Sequence, residues 1–348
     1  MGYFVNFFAS RPAISNSKIG RRSRAAGHYT QFENKKGFEA SFGWLFALIV
    51  GAFILFLAIF LAGRISENSQ YEIDTTTAKE IGFLLNPIET GVESGVGTFM
   101  NLPQETRIYN NCVDDEPFGR QRIQLSQKSL GKWSTPGAEV GFNNKYIFSA
   151  DVEEGKRFEI ASQSFELPFK VANLIYLIPS NKEYCFVGAP ERIENQVKGF
   201  GRVNLVAGNC SLGSEKEVLR VCFSGGSNNN CDVQVSYDDG EGFVSKTGGS
   251  GRLYFIQDSL MFGAIFAEQD LYECQVNRLM LRAANLANLY LDKSKFISSK
   301  ECTSGLEREL IQLKNSASTF KTNKNFALIK QIADDLEEKH FDAVCKLW

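Results

Sequence analysis

The sequence predicts an α+β protein with one N-terminal transmembrane helix, a β-rich, sandwich-like outer domain and a C-terminal helical unit. Three observations support this fold class: an uncharged apolar run between Glu39 and Arg64, short strand-like runs up to about residue 260, and helical periodicity beyond it. With 348 residues, 43% of them apolar and 22% charged, the chain has room for two or three domains. This composition excludes a largely disordered protein.

These observations divide the chain into five predicted segments. They are a basic cytoplasmic tail (1–39), the transmembrane helix (40–63), a stalk with a short helix (64–95), the β-rich outer domain (96–260) and a helical unit packed on it (261–348).

The apolar run carries the strongest signal. The 22 residues from Phe42 to Gly63 contain no charged side chain, and as a helix they span about 33 Å, close to the hydrocarbon thickness of a bilayer. A cleaved secretory signal is the alternative, but its apolar region has about 7–15 residues. The sequence therefore predicts a single membrane crossing.

Charge predicts the orientation of that helix. Residues 1–39 hold seven basic and two acidic side chains, a net charge of +5, and since the whole chain carries −2, the remainder carries −7. Basic segments are retained on the cytoplasmic side. We therefore expect a single-pass protein of the cell membrane, with a cytoplasmic N-terminus and residues 65–348 extracellular.

The predicted helix has two different faces. Five phenylalanines lie on one side, and small residues recur on the other, where a second helix can approach closely. The small residues of this helix-packing face are Gly43, Ala47, Gly51, Ala58 and Ala62. The pattern predicts a transmembrane helix partner, either a second copy or another protein; alternatively, small residues are simply common in membrane helices.

Beyond the membrane, the period of the sequence changes twice. A polar segment, 65–74, is followed by a predicted short helix over Thr75–Leu85. Short runs rich in β-branched and aromatic residues then alternate with turns, which is typical of a mostly antiparallel β domain with one helix near Glu191–Val197. From about residue 265 apolar residues repeat at helical spacing in three helices, the second opened by a capping box at Ser304 and Glu307.

All eight cysteines lie beyond the membrane helix, as expected for an oxidising compartment. The disulfide candidates are Cys112, Cys185, Cys210, Cys222, Cys231, Cys274, Cys302 and Cys345. Complete pairing requires at least one bridge between the β-rich and helical regions, since five cysteines precede residue 260 and three follow it. The short loop between Cys222 and Cys231 suits a bridge, and Asn209 begins a glycosylation sequon.

The sequence offers no catalytic motif, no cofactor-binding loop and no metal-ligand spacing. The acidic runs at Asp114–Glu116 and Asp238–Glu241 fit turns better than calcium loops. A net charge of −2 argues against a general nucleic-acid binder. We therefore expect no cofactor, no metal and no nucleic-acid partner, but the lipid bilayer and an unknown extracellular partner.

The run Lys35-Lys36-Gly37-Phe38 before the apolar stretch resembles the leader site of type IV pilin-like proteins. The resemblance covers residues 35–63 and implies cleavage between Gly37 and Phe38, with the exposed helix packing in a filament core. The sequence departs from the bacterial pattern at Phe42, which stands where that pattern has a glutamate. The helix and the region Phe165–Val187 are also similar to uncharacterised archaeal single-pass membrane proteins.

Three functional hypotheses follow. The first is a membrane-anchored cell-surface protein whose disulfide-stabilised outer domain binds or scaffolds an unknown ligand. The second is a pilin-like filament subunit cleaved after Gly37. The third is a membrane-tethered hydrolase, which requires two carboxylates about 5–10 Å apart across a cleft.

Overall fold

A computed structural model gives the fold of residues 42–86, 97–115, 118–208, 216–223, 230–249 and 251–348. Contacts divide the chain into two compact units, Met1–Ala58 and Ile59–Trp348. The proposed leader site at Gly37 and Phe38, the sequon residue Asn209 and Cys210 lie outside the described residues.

The N-terminal helix is longer than the sequence predicted. Helix α1 extends over Phe42–Leu84, so residues 65–74 are helical and the short helix expected from Thr75 is its last part. No proline lies between Arg64 and Leu84 to end the helix, and its single glycine there, Gly82, is near the end. The predicted separation into a stalk and a short helix is therefore wrong.

The second half of α1 is built into the larger unit. Ala78 and Ile81 are buried against the first sheet, and Asp74 is fully buried on the same side. Ser134 donates a 2.6 Å hydrogen bond to the Asp74 carboxylate, and the backbone N–H of Ala138 donates to the Thr75 hydroxyl at 2.7 Å. Burial raises the pKa of Asp74, and hydrogen bonds from Ser134, Gln70 and the backbone of Gln127 oppose this shift.

The first sheet has seven strands within the described residues. They are β1 (Gly97–Val113), β2 (Arg120–Ser129), β3 (Lys132–Trp133), β4 (Val140–Phe142), β5 (Tyr146–Phe148), β6 (Val152–Glu166) and β7 (Lys170–Pro179). Their order is β3-β2-β1-β6-β7-β5, with β4 also paired to β2. All pairs are antiparallel except β5 with β7.

The second sheet has six described strands, and helix α2 (Glu191–Gly199) precedes its edge strand β9. The strands are β8 (Lys182–Val187), β9 (Leu205–Ala207), β10 (Glu217–Phe223), β11 (Val233–Asp238), β12 (Glu241–Lys246) and β13 (Arg252–Ile256). The order is β13-β12-β11-β10-β8-β9. Three pairings, β8 with β9, β8 with β10 and β10 with β11, are parallel, so this sheet is mixed, while most pairings of the two sheets together are antiparallel as expected.

A short helix lies between the two sheets, so the predicted sandwich is also corrected. Helix α3 (Asp258–Phe266) packs on β7 of the first sheet and on β12 and β13 of the second. All nine of its residues are buried. The ring centroids of Phe262 in α3 and Phe186 in the second sheet are 5.9 Å apart. On the other side, the hydroxyl of Tyr176 in the first sheet donates to the carbonyl of Ser259 in α3 at 2.7 Å.

The remaining helices follow α3. They are α4 (Gln269–Ser298), α5 (Glu307–Ser318), α6 (Phe320–Asn323) and α7 (Phe326–Asp342). Helix α4 packs on β1, β5 and β7, and α5 packs on α4 and α7. The helix expected at Glu191–Val197 and the three expected near the C-terminus are present.

The predicted capping box does not form as expected. Leu306 is the N-cap of α5, and the side chains of Ser304 and Glu307 turn instead to Ser294 of α4. The two serine hydroxyls are 2.6 Å apart, and the Ser294 hydroxyl donates to the Glu307 carboxylate at 2.5 Å. Ser304 also accepts from the backbone N–H of Leu306 at 3.5 Å, so a tertiary contact between α4 and α5 replaces only the reciprocal bond from Glu307.

Gly263 allows α3 to approach β5, and replacing it with alanine should destabilise the fold. A Cβ at this position would lie 2.9 Å from two ring carbons of Phe148, which is fully buried. We expect Gly263→Ala to lower the free energy of unfolding by about 1–3 kcal/mol, because overpacking forces neighbouring groups apart. Urea unfolding of the full-length protein in detergent, followed by circular dichroism, measures this.

The matched control is Gly199→Ala, at the end of helix α2. No atom lies within 4 Å of the added Cβ there, so we expect a neutral effect or a gain of up to about 1 kcal/mol from helix propensity. Equal unfolding midpoints for the two variants would contradict the close packing of α3.

Candidate functional site

The apolar first half of α1 is exposed along its length. One helix among the described residues is long and apolar enough to cross a membrane, and no residue of its apolar stretch is buried. Phe53 and Phe56 are 60% and 64% exposed. The helix-packing face is open as well: no atom approaches within 4 Å of a Cβ placed at Gly43 or Gly51, and Ala47, Ala58 and Ala62 are exposed.

Three disulfides join described cysteines. They are Cys112–Cys274, Cys222–Cys231 and Cys302–Cys345, with Cα atoms 6.0, 5.9 and 6.0 Å apart. The first joins β1 to α4 across 162 positions, so it links the β-rich and helical regions as the cysteine count required. Cys185 is also disulfide-bonded, and its partner lies outside the described residues.

A buried polar network surrounds the Cys112–Cys274 bridge. Gln121 donates to the Asn110 side chain and accepts from Gln275, and Asn110 donates to the Ser149 hydroxyl at 2.7 Å. All four are almost fully buried. This network fixes α4 on the first sheet through polar contacts in addition to the covalent link.

Arg278 extends this network one helical turn further. Its guanidinium is fully buried and donates to the carbonyls of Lys145 and Asn143, both at 2.9 Å, and to the Gln275 side chain at 2.7 Å. It also lies 4.6 Å from the ring centroid of Tyr146. Burial lowers the pKa of Arg278 to about 10. These contacts are to backbone and side chains of the fold, which marks the arginine as structural.

A polar cleft of about 560 Å³ opens at the N-terminus of α3. Asp258 lies there, 4% exposed, and its carboxylate accepts from Arg192 at 2.8 Å, Gln196 at 2.6 Å and the Tyr237 hydroxyl at 2.9 Å. Burial and this hydrogen bond raise the pKa of Tyr237 to about 12. An acidic side chain is favourable at this end of a helix, where the dipole is positive.

The hydrolase hypothesis requires two carboxylates across a cleft, and four carboxylates line this one. Glu166, Asp334 and Glu337 line it with Asp258. However, Glu166 accepts from Ser164 at 2.9 Å and Asp334 pairs with Lys330 at 2.5 Å, while Asp258 has three donors. Carboxylates held in this way act as acceptors within the fold, and a hydrolase remains only a hypothesis.

A second cavity, of about 480 Å³, lies at the opposite end of α3. Lys246, the last residue of β12, is partly buried on its wall and donates a hydrogen bond to the carbonyl of Ala267, which follows α3. Nearby, Lys182 forms a 2.8 Å ion pair with Glu153, which is 2% exposed. A cation at the C-terminal end of a helix satisfies its free carbonyls.

Burial shifts the ionisation of several groups around this cavity. It lowers the pKa of Lys246 to about 8, although Glu268, Glu153 and Asp151 oppose the shift. Burial likewise raises the pKa of Glu153 despite its pairing with Lys182, and that of Asp151. The pKa of Tyr184, on the cavity wall, is raised strongly for the same reason.

Sequence reasoning did not identify Asp258 or Lys246. The available signals were Asp258 before an unbroken apolar run and Lys246 before the glycine-rich segment 247–251. Both patterns are also typical of ordinary turns. Within the described ranges, no three His, Cys, Asp or Glu side chains converge to hold a metal ion.

Removing the long-range disulfide should cost more stability than removing the short one. In the chain-entropy model, the Cys112–Cys274 bridge stabilises the fold by about 5 kcal/mol and the Cys222–Cys231 bridge by about 3 kcal/mol. The difference arises because the longer closed loop removes more entropy from the unfolded chain. We expect Cys112→Ser/Cys274→Ser to lower the urea midpoint further than Cys222→Ser/Cys231→Ser. An equal or reversed effect, measured without reductant, would contradict this ranking.

In comparisons with known proteins, the chain matches no protein-family model, no curated protein and no solved structure.

Proposed function

We propose that the protein is a single-pass, membrane-anchored surface protein whose disulfide-stabilised unit binds or scaffolds a partner outside the cell. The observation that carries this proposal is the combination, in one chain, of an exposed apolar stretch of helix and a disulfide joining distant parts of the folded unit. Each requires a different environment, one apolar and one oxidising.

The free energy of the apolar stretch favours lipid. Fourteen Phe, Leu, Ile and Val residues lie between Phe42 and Gly63, with no charge among them. On an insertion scale they contribute about −6 kcal/mol in total, and no charged residue opposes them. Leaving the same side chains in water would expose a continuous apolar surface far larger than soluble proteins tolerate.

The disulfides favour an oxidising compartment for the folded unit. Cytosolic thiols are kept reduced, whereas bridges persist outside the cell. The first 111 residues contain no cysteine, and their basic tail is the segment expected to stay in the cytoplasm. Charge and cysteine distribution therefore support the same orientation independently.

A membrane-impermeant amine reagent tests this orientation on intact cells that produce the protein. We expect labelling of lysines beyond the helix, such as Lys170 and Lys300, and none at Lys18, Lys35 or Lys36, because the bilayer protects the tail. Permeabilised cells are the control, in which both groups react. Mass spectrometry identifies the labelled sites, and modification of the tail in intact cells would contradict the proposal.

A pilin-like filament subunit is the second candidate, and the continuity of α1 favours it. A subunit of this kind needs a helix whose first half is free to pack with other copies and whose second half belongs to the folded unit. Nearly all residues of 42–58 are exposed, whereas Asp74, Ala78 and Ile81 on one face of the second half are buried. The small residues from Gly43 to Ala62 would then face a neighbouring copy.

The mass of the mature N-terminus distinguishes the two candidates. A filament subunit should begin at Phe38, and Gly37→Ile should block its processing, since the leader site requires a small residue before the cut. Gly43→Ile, beyond the site, is the matched control and should be processed normally. An intact N-terminal tail in the native protein would exclude the filament subunit and be consistent with the membrane-anchored surface protein.

A further inference from the structure

The cavity beside Lys246 has an apolar interior and a charged entrance. Five of its lining residues are apolar and at most 5% exposed: Tyr184, Val233, Leu253, Ile265 and Phe266. Glu217, Asp232 and Glu268 line it too, and Glu217 and Glu268 are exposed. This arrangement suits a small molecule with an apolar body.

The amine of Lys246 is positioned on the wall of this cavity. One of its N–H groups donates to the carbonyl of Ala267. When the amine is neutral, its lone pair cannot take part in that hydrogen bond, since a carbonyl oxygen is an acceptor only. The lone pair is then available to a molecule in the cavity.

The ionisation of Lys246 makes the neutral form abundant near physiological pH. Burial lowers its pKa to about 8, so about a quarter of the amine is neutral at pH 7.5, compared with about one in a thousand for an ordinary lysine. A desolvated lysine with a lowered pKa is the form that proteins use as a nucleophile.

We propose that Lys246 is a carbonyl-reactive amine and that the adjoining cavity binds an aldehyde or ketone with an apolar body. The neutral Nζ adds to the carbonyl carbon while the carbonyl oxygen takes up a proton, giving a carbinolamine. Loss of that hydroxyl as water, together with the remaining nitrogen proton, gives an imine. Amine and carbonyl compound thus yield imine and water, with no oxidant or reductant.

The charges around the cavity select among carbonyl compounds. Glu217, Asp232 and Glu268 contribute three carboxylates, whereas the Lys182 amine is already paired with Glu153. An anionic aldehyde therefore meets net repulsion on entry, and a neutral one does not.

Capping of α3 explains only part of this arrangement. The hydrogen bond from Lys246 to Ala267 accounts for the position of the amine at the end of the helix. It requires neither a cavity of about 480 Å³ beside the amine nor an apolar lining. A ligand site accounts for both.

Competitive labelling of the full-length protein in detergent tests the proposal. Benzaldehyde with sodium cyanoborohydride converts each imine to a stable benzyl-lysine, and peptide mass spectrometry gives the rate at each lysine. At pH 7.5 we expect Lys246 to react about tenfold or more faster than Lys170, which is exposed, with a rate that saturates as benzaldehyde increases. The anionic probe 4-carboxybenzaldehyde should reduce this ratio about threefold or more.

Two outcomes would overturn the proposal. One is a Lys246 rate equal to or below that of Lys170 in the folded protein. The other is a faster rate that neither saturates nor depends on the charge of the probe, which would show a reactive amine without a binding site. Neither depends on membrane orientation, so the surface-protein proposal stands or fails separately. We expect Lys170→Arg to retain the rapidly labelled lysine and Lys246→Arg to lose it.

Discussion

The burial of helix α3 is the constraint on which much of the larger unit depends. A helix leaves backbone N–H groups free at one end and carbonyls free at the other, and where water is excluded these groups need partners from the protein. At the N-terminal end Asp258 is held by Arg192, Gln196 and Tyr237, and at the C-terminal end Lys246 donates to Ala267. The polar cleft and the lysine cavity therefore lie at the two ends of one buried helix.

The position of Lys246 at the C-terminal end of α3 explains why its pKa is lowered. The backbone carbonyl at the end of α3 draws the Lys246 amine inward, and the loss of hydration there outweighs the nearby carboxylates, so the pKa falls. Asp258, in contrast, keeps an arginine partner that is 60% exposed at its side chain. The two ends of α3 thus carry opposite charges, the buried Asp258 carboxylate at the N-terminus and the partly buried Lys246 amine at the C-terminus.

The sequence predicted the elements whose pattern is local. Strands such as β8 and β10 and helices such as α2 and α7 follow from the spacing of their apolar residues. Helix α3 has apolar residues on every face, so no helical period distinguishes it from a strand. The parallel pairing of β8 with β10 depends on contacts distant in the chain. Lys246 escaped prediction for the same reason, since its environment comes from Glu153 on β6 and from Ala267 and Glu268 between α3 and α4, all distant from it in the chain.

Helix α1 shows how one element can carry two patterns. Up to Gly63 the apolar residues surround the helix, as lipid or neighbouring helices require. Beyond Arg64 burial is confined to positions such as Asp74, Ala78 and Ile81, spaced by four and three, which is one face of a helix. Because most residues between Ser66 and Glu80 are polar, the segment resembles a stalk in sequence. Near Gly63 the apolar residues change from all sides of the helix to one side, and the exposed apolar stretch and the part that packs on the first sheet belong to one continuous helix.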